Sequence, residues 1–212
     1  MIEKLIHISH PEGSMEGLLK IPDNALGIVL FAHGSGSSRF SSRNNFVADV
    51  LNEAGHATLL IDLLSKKEDE IYETRFDIEL LVKRLTVVTE WFEKQKETQK
   101  LQLGLFGAST GAAAALMLAA GKGQKVKAVV SRGGRPDLAM AALKRVTAPT
   151  LIIVGGNDFG VIELNEKAFQ QLDCTKQFEI VPHATHLFEE TGALEQVAHL
   201  AREWFKKHLG VI

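Results

Sequence analysis

The sequence predicts an α/β chain: a doubly wound, mostly parallel eight-stranded sheet with an N-terminal antiparallel hairpin and helices on both faces. Three observations predict it. Short runs rich in Val, Ile and Leu alternate with segments of helical period from residue 27 onward. Several of those runs, LGIVLFAHG and APTLIIVGG among them, are apolar almost without interruption, the pattern of strands covered on both faces. Near the N-terminus two extended runs follow one another across a tight turn with no helix between them.

The hairpin comes first. Leu5 to Ile8 is an extended stretch, Pro11, Glu12 and Gly13 make a turn, and Met15, Leu18 and Ile21 mark the returning run. After Pro22-Asp23-Asn24 the buried strand LGIVLFAHG leads into a helix from about Ser42 to Ala54, with Phe46, Val47, Val50 and Leu51 on one face and Gly55 as its stop. HATLLIDLL is the next strand, Asp77 to Lys94 a helix, LQLGLFG a strand and Thr110 to Ala120 a helix of small residues. VKAVVSRGG, a helix near Asp137 to Lys144, APTLIIVGG, a helix from Glu163 to Leu172, QFEIVPH and a last helix from Ala193 to His208 complete the alternation. The one irregular excursion is Ser65 to Thr74, SKKEDEIYET, where charge is dense and the apolar period is lost. It reads as a solvated loop or a helix-start overhang, or else as a short flap over the active site, since it leaves the sheet at a strand's carboxyl end, where ligands bind in such folds.

Length and composition bound the function. The 212 residues fit one domain, 1–212, able to bury roughly 70% of the surface of the unfolded chain. With 24 basic against 26 acidic side chains, no nucleic-acid partner is expected. The opening MIEKLIHISHPEG lacks the apolar core of a signal peptide and no run approaches the roughly 20 apolar residues of a membrane span, so no membrane partner is expected and the location expected is cytoplasmic. The single cysteine, Cys174, excludes an internal disulfide, agrees with a reducing compartment and reads as part of an exposed turn. Oligomeric state is not legible.

The chemistry centres on Gly107-Ala108-Ser109-Thr110-Gly111, a G-x-S-x-G motif. Five matching residues alone arise by chance in glycine-rich turns. Here a buried strand runs in and a small-residue helix runs out, the setting of a nucleophile elbow. A sharp strand-to-helix turn lifts the Ser109 hydroxyl above the sheet, and the glycines two before and two after leave room for the chain to pass. The helix start brings unpaired N–H groups and a favourable dipole for developing negative charge, with the Thr110 N–H as one oxyanion donor.

A serine hydroxyl needs a base within hydrogen-bond reach and an acid to orient that base. Both follow in the order Ser, Asp, His: Asp158 after the strand TLIIVGG and His186 after FEIVPH. Asp158 also sits in turn-prone sequence where an ordinary helix N-cap is the competing explanation. Glu163 is the rival acid, explained equally by capping of the next helix, and His183 is the rival base. The second oxyanion donor is expected from the turn His33-Gly34-Ser35-Gly36, at Ser35, with Gly34 or Gly36 as the neighbouring registers. That turn is neither a phosphate-cradling G-x-x-x-x-G-K-[ST] nor a G-x-G-x-x-G. Arg132 and Arg135, in SRGGRPD, are candidates to meet a substrate carboxylate, or to brace loops by pairing with Asp137 or Glu189. His33 is a further candidate for substrate binding. His183, His186, Glu189 and Glu190 lack a metal-binding pattern, so no metal and no other cofactor is expected.

With these residues in place, the sequence resembles the dienelactone hydrolase-like branch of the α/β hydrolases, from LFAHGSGSS through GLFGASTGAAAAL and SRGGRPDL to IIVGGND and PHATHLFEE. The elbow and the H-G-S-G loop belong to the wider superfamily; SRGGRPDL and ATHLFEE look particular to a narrower subgroup. The resemblance implies Ser109 as nucleophile, Asp158 as acid, His186 as base and the N–H groups of Ser35 and Thr110 as the oxyanion hole. Dienelactone hydrolases proper carry cysteine where this chain has Ser109. Similar domains also occur joined to phosphoribosyltransferase-like domains in longer chains. With no lipase-type lid visible, the expectation is a hydrolase of small carboxylic esters, thioesters or lactones, a small-molecule acyl substrate being its partner. A non-catalytic binding module that keeps the elbow, and an acyltransferase, are the alternatives.

Overall fold

Pro11 and Glu12 turn the chain between β1 (Ile2–His10) and β2 (Gly13–Ile21), which pair antiparallel with Ile8 opposite Met15. In the computed structural model, which describes residues 1–209, six more strands continue this hairpin: β3 (Gly27–Ala32), β4 (Ala57–Ile61), β5 (Gln102–Ala108), β6 (Val126–Arg132), β7 (Thr150–Gly155) and β8 (Lys176–Val181). Their order is β1-β2-β4-β3-β5-β6-β7-β8, antiparallel from β1 through β2 to β4 and parallel beyond. Every residue of β3, β4 and β7 is buried, as their unbroken apolar sequence requires of strands covered on both faces. Edge strand β8 is half-buried or exposed at every residue but Val181 and carries Lys176 and Glu179, which discourage pairing with another sheet.

Two helices cover one face, α1 (Ser42–Glu53) and α6 (Ala193–His208). Val47, Leu51, Val197, Ala201 and Phe205 pack there on Val29, Phe31, Phe106 and Val130. Each of the Val, Leu and Phe side chains contributes about 1.5–3 kcal/mol by leaving water, and the tilted Phe31–Phe106 pair, 4.9 Å between centroids, adds about 0.5–1.5 kcal/mol. The other face carries α3 (Ile78–Phe92), α4 (Thr110–Lys122), α5 (Phe159–Gln171) and a 3-10 helix over Pro136–Arg145. Ala112 to Ala115 of α4 are fully buried, because only methyl-sized side chains let this helix lie between the sheet and its neighbours.

Four local features differ from the sequence reading. The segment at 65–74 forms a short helix start of its own and not a plain solvated loop: Ser65 and Glu68 form a reciprocal capping box that starts a one-turn helix, α2 (Lys66–Asp69), followed by a 3-10 turn at Glu73–Phe76. The helix at 136–145 is 3-10, with Pro136, Ala139 and Ala142 buried at the three-residue period of that helix and Leu143 buried beside them. Helix α5 starts at Phe159, four residues before the expected Glu163. Cys174 is half-buried against the core instead of exposed; its thiol lies 3.7 Å from Thr150 Oγ1, and burial pushes its pKa up. Among the described residues no helix is long and apolar enough to cross a membrane.

Candidate active site

Strand β5 delivers Ser109 at the centre of the sheet, and α4 starts at the next residue. Ser109 has φ +51° and ψ −123°, a left-handed strained conformation that costs about 1–3 kcal/mol and persists only where the surroundings enforce it. Those surroundings are tight. A Cβ on Gly107 would stand 2.8 Å from the backbone of both Gly111 and Ala112; one on Gly111 would stand 2.6 Å from His33 O and closer still to Ala32 O; one on Gly34 would stand 2.8 Å from Ser109 Cβ. The Ser109 N–H donates to Arg132 O at 3.3 Å, and the Ser109 carbonyl accepts from Arg135 N–H at 3.0 Å and Ala112 N–H at 3.1 Å. The end of β6 therefore grips the elbow from the side opposite the H-G-S-G turn.

Asp158 and His186 come from the loops after β7 and β8. Asp158 occupies the N-cap position of α5, but its side chain makes no capping bond; Oδ2 instead lies 2.7 Å from His186 Nδ1. With Asp158 only 15% exposed and an acceptor only when ionised, this bond fixes the tautomer that carries its proton on Nδ1 and leaves Nε2 free to accept. The two loops are knitted together: Asn157 N–H donates to Ala184 O at 2.9 Å, the Asn157 side-chain amide donates to His183 O at 2.9 Å, and Gly156 N–H donates to Val181 O at 2.8 Å. Glu190 Oε1 accepts from the Thr185 N–H (3.0 Å) and hydroxyl (2.6 Å), which hold its carboxyl below the ordinary pKa and shape the turn just before His186. The rivals stand elsewhere: Glu163 is exposed on α5, and His183 is exposed at φ +61°.

Ser109 and His186 line one open cavity of about 470 Å³, with Ser35 and Gly36, the start of α1, Arg132 and Leu187. The imidazole crosses over Gly133, where a Cβ would stand 3.6 Å from His186 Cε1. Thr110 N–H, first in α4, has no partner within the helix. Ser35, the expected second donor, already gives its N–H to Thr110 Oγ1 at 3.0 Å. Arg39 N–H donates to Asp62 Oδ1 at 2.6 Å and its guanidinium pairs with Asp62 and Glu16, which anchors the loop to β2 and the end of β4.

The three proposed substrate-binding side chains separate. Arg135 does not line this cavity, because Asp137 engages its guanidinium through two bonds, 2.9 and 2.8 Å, and raises its pKa. His33 faces a second cavity of about 640 Å³ beside Asp62, Ser65 and Asp69, with Nδ1 3.0 Å from Gly34 O. Arg132 lines the first cavity and is 6% exposed. Sequence reasoning missed Asn44, buried on α1, whose Oδ1 accepts from Arg132 at 3.3 Å, and Asn165, whose amide holds Gly134 O at 2.9 Å; an asparagine in a helix carries no signal of a partner so distant in the chain. It also missed the lie of the 65–76 segment, where Arg75 approaches Gly36 of the H-G-S-G turn.

The model of the dienelactone hydrolase family matches residues 15–209. The crystal structure of a dienelactone hydrolase from Anabaena variabilis ATCC 29413 superposes with a TM-score of 0.95 at 55% identity, covering 98% of each chain. Est1E from Butyrivibrio proteoclasticus shares the fold, TM-score 0.84 over 97% of this chain and 98% of that one, at 16% identity. A Mycobacterium tuberculosis H37Rv protein described as "Putative phosphoribosyl transferase" is 57% identical over 193 residues, 91% of this chain but 44% of the relative, so the chain spans less than half of that protein's length.

Proposed function

The chain belongs to the dienelactone hydrolase family, and from that premise we propose that it is a serine hydrolase of small carboxylic esters, thioesters or lactones working through an acyl-Ser109 intermediate. The observation that carries this reading is the 2.7 Å bond between His186 and an Asp158 that stands at a helix N-cap position and does not cap. A carboxylate with only an architectural task there would accept from the N–H groups of the first turn.

In this reading His186 Nε2 takes the Ser109 proton as the hydroxyl oxygen attacks the carbonyl carbon. The tetrahedral oxyanion accepts from the N–H groups of Thr110 and Ser35, sharing the latter with the Thr110 hydroxyl. Collapse breaks the bond to the leaving group, which receives the proton from His186 and departs. A water then gives its proton to His186 and attacks acyl-Ser109; the acid leaves and the serine regains its hydrogen. Asp158 orients the imidazole throughout and stabilises its positive form. The open cavity of about 470 Å³ suits small acyl substrates. A single cysteine agrees with action in the reducing cytoplasm.

The test is the hydrolysis of short p-nitrophenyl esters and the labelling of Ser109 by a fluorophosphonate. Ser109→Ala is expected to lose both while keeping the wild-type circular dichroism spectrum. Turnover that survives the substitution, or a folded wild-type protein that neither reacts with the probe nor hydrolyses any ester, refutes the reading.

A further inference from the structure

From Leu64 to Asp77 no residue is buried, although Leu63 just before them and Ile78 just after them are. The segment between is held by its own bonds: the Ser65–Glu68 capping box, Arg75 on the carbonyl and carboxylate of Asp69, and turns such as Asp69 N–H to Ser65 O at 2.9 Å and Ile71 N–H to Glu68 O at 3.2 Å. Among the described residues no backbone hydrogen bond joins 65–76 to the rest of the chain, and one side-chain bond does: Arg84 Nη2 donates to Glu68 Oε1 at 2.7 Å. Apolar packing does not anchor the segment either, since Ile71 and Tyr72 are 53% and 68% exposed. Such a stretch belongs to the least stable part of a fold and opens locally while the core stays closed.

The far end of that one bond has a substitute partner. Arg84, on α3, is 2% exposed and lies against the His10 ring, with Nη1 3.5 Å from Glu12 Oε2 in the turn of the β1–β2 hairpin. Stranding a buried guanidinium without a carboxylate would keep Glu68 in place. Here Glu12, which Lys83 also holds at 2.6 Å, is within reach to take the guanidinium over.

The segment covers something. Ser65, Lys66 and Asp69 wall the cavity of about 640 Å³ in which His33 and Asp62 lie, and Ser37, Ser38 and Phe40 line both that cavity and the catalytic one. His33 Nε2 is enclosed there with no partner from the protein. Arg75 stands beside the H-G-S-G turn, where a Cβ on Gly36 would be 3.6 Å from Nη1.

We propose that residues 65–76 form a hinged strap over the second cavity, docked by Glu68 on Arg84 and released when Arg84 passes to Glu12. The hinges are the chain on either side, next to buried Leu63 and Ile78. Release uncovers His33 and takes Arg75 off the H-G-S-G turn, so the hairpin turn at Glu12 controls one wall of the cleft. None of this rests on the hydrolase reading.

Hydrogen exchange of the intact protein, read by mass spectrometry, and carbethoxylation of His33 by diethylpyrocarbonate test it together. In wild type the amides of 65–76 are expected to exchange well before those of β5, whose protection reports that each variant is folded. Glu68→Gln keeps the capping box, which glutamine also forms, and removes the charge that docks the strap; exchange of 65–76 is expected to quicken about tenfold. Glu12→Gln removes the partner of the released state and is expected to slow it about two- to fivefold. His33 is expected to react faster in the first variant and slower in the second, by the same factors. Glu93→Gln, which breaks an ion pair with Lys125 away from the strap, is the control and is expected to change neither. Opposite shifts from two carboxylate-to-amide changes would not follow from a merely structural role. A strap as protected as β5, a Glu68→Gln protein exchanging at the wild-type rate, or a Glu12→Gln protein that exchanges no more slowly overturns the latch; His33 reactivity that stays constant while exchange shifts overturns the cover over the cavity.

Discussion

Gly111→Ala tests whether the elbow and the H-G-S-G turn form a single piece of machinery. The new methyl carbon would stand 2.6 Å from His33 O and from Ala32 C, inside the 3.0 Å that real Cβ atoms respect, and nearer still to Ala32 O. Both neighbours are backbone at the end of β3, so no flexible side chain can yield; the turn carrying Ser35 must retreat by a distance on the order of 1 Å. Displacements of that size cost about 10²-fold in rate, and loss of one oxyanion donor costs about 10²–10³-fold. The expected fall in kcat is therefore about 10²–10³-fold, about 3–4 kcal/mol of transition-state stabilisation. Overpacking of about 1–3 kcal/mol, at roughly 2–4 °C of Tm per kcal/mol for a chain of this length, leaves the protein folded at 25 °C. Gly121→Ala is the control: same helix, same methyl, and nothing within 4 Å of the added carbon. It is expected to raise stability by about 0.5–1 kcal/mol and leave kcat unchanged. Steady-state kinetics on a p-nitrophenyl ester, with thermal melts of both variants, decide the matter. A Gly111→Ala enzyme with wild-type kcat would show that the turn after β3 takes no part in the rate.

Two further predictions concern buried polar groups. Asp158→Asn replaces a partner that can only accept with one that can also donate, so His186 is no longer locked with its proton on Nδ1; kcat is expected to fall about 10³–10⁴-fold with little change in Tm, and a loss below tenfold in single-turnover assays would contradict the role given to this carboxylate. His56 is fully buried with both ring nitrogens unpartnered, and burial holds its pKa below the ordinary histidine value. The folded state keeps it neutral while the unfolded chain binds a proton as pH falls through about 6.5, so stability is complete above that pH and declines below it. His56→Leu is expected to gain about 1–2 kcal/mol, an advantage that widens as pH drops from 7.5 to 5.5; a constant difference in Tm across that range would refute the account.

How much of this was legible depended on how far each feature reaches along the chain. The elbow reads directly because its glycines answer a local steric demand at residues two away on either side. Arg135 and Asp137 pair across two positions, so the bracing alternative could be named from sequence, whereas the partner of Arg132, Asn44, lies 88 positions away. Ser35 and Thr110 are 75 positions apart, and nothing local announces that the hydroxyl of one engages the amide of the other. Asp158 does stand at the N-cap of α5, so the cap position was readable, but its side chain bonds His186 instead of capping, a partner 28 positions away that no local rule announces. The capping box at Ser65 and Glu68 was readable, but dense charge around it masked a signal spread over four residues.

The bonds between the Asn157 turn and the His183–Ala184 strand end make carboxylate and imidazole passengers on one rigid raft, moored to the far half of the sheet, while the serine rides on β5. Warming the protein short of denaturation should therefore let the raft drift from the hydroxyl before its two passengers part. In proton spectra the downfield signal of the shared Nδ1 hydrogen would outlast chemical reactivity at Ser109, a separation in temperature that a single concerted melting event would not produce.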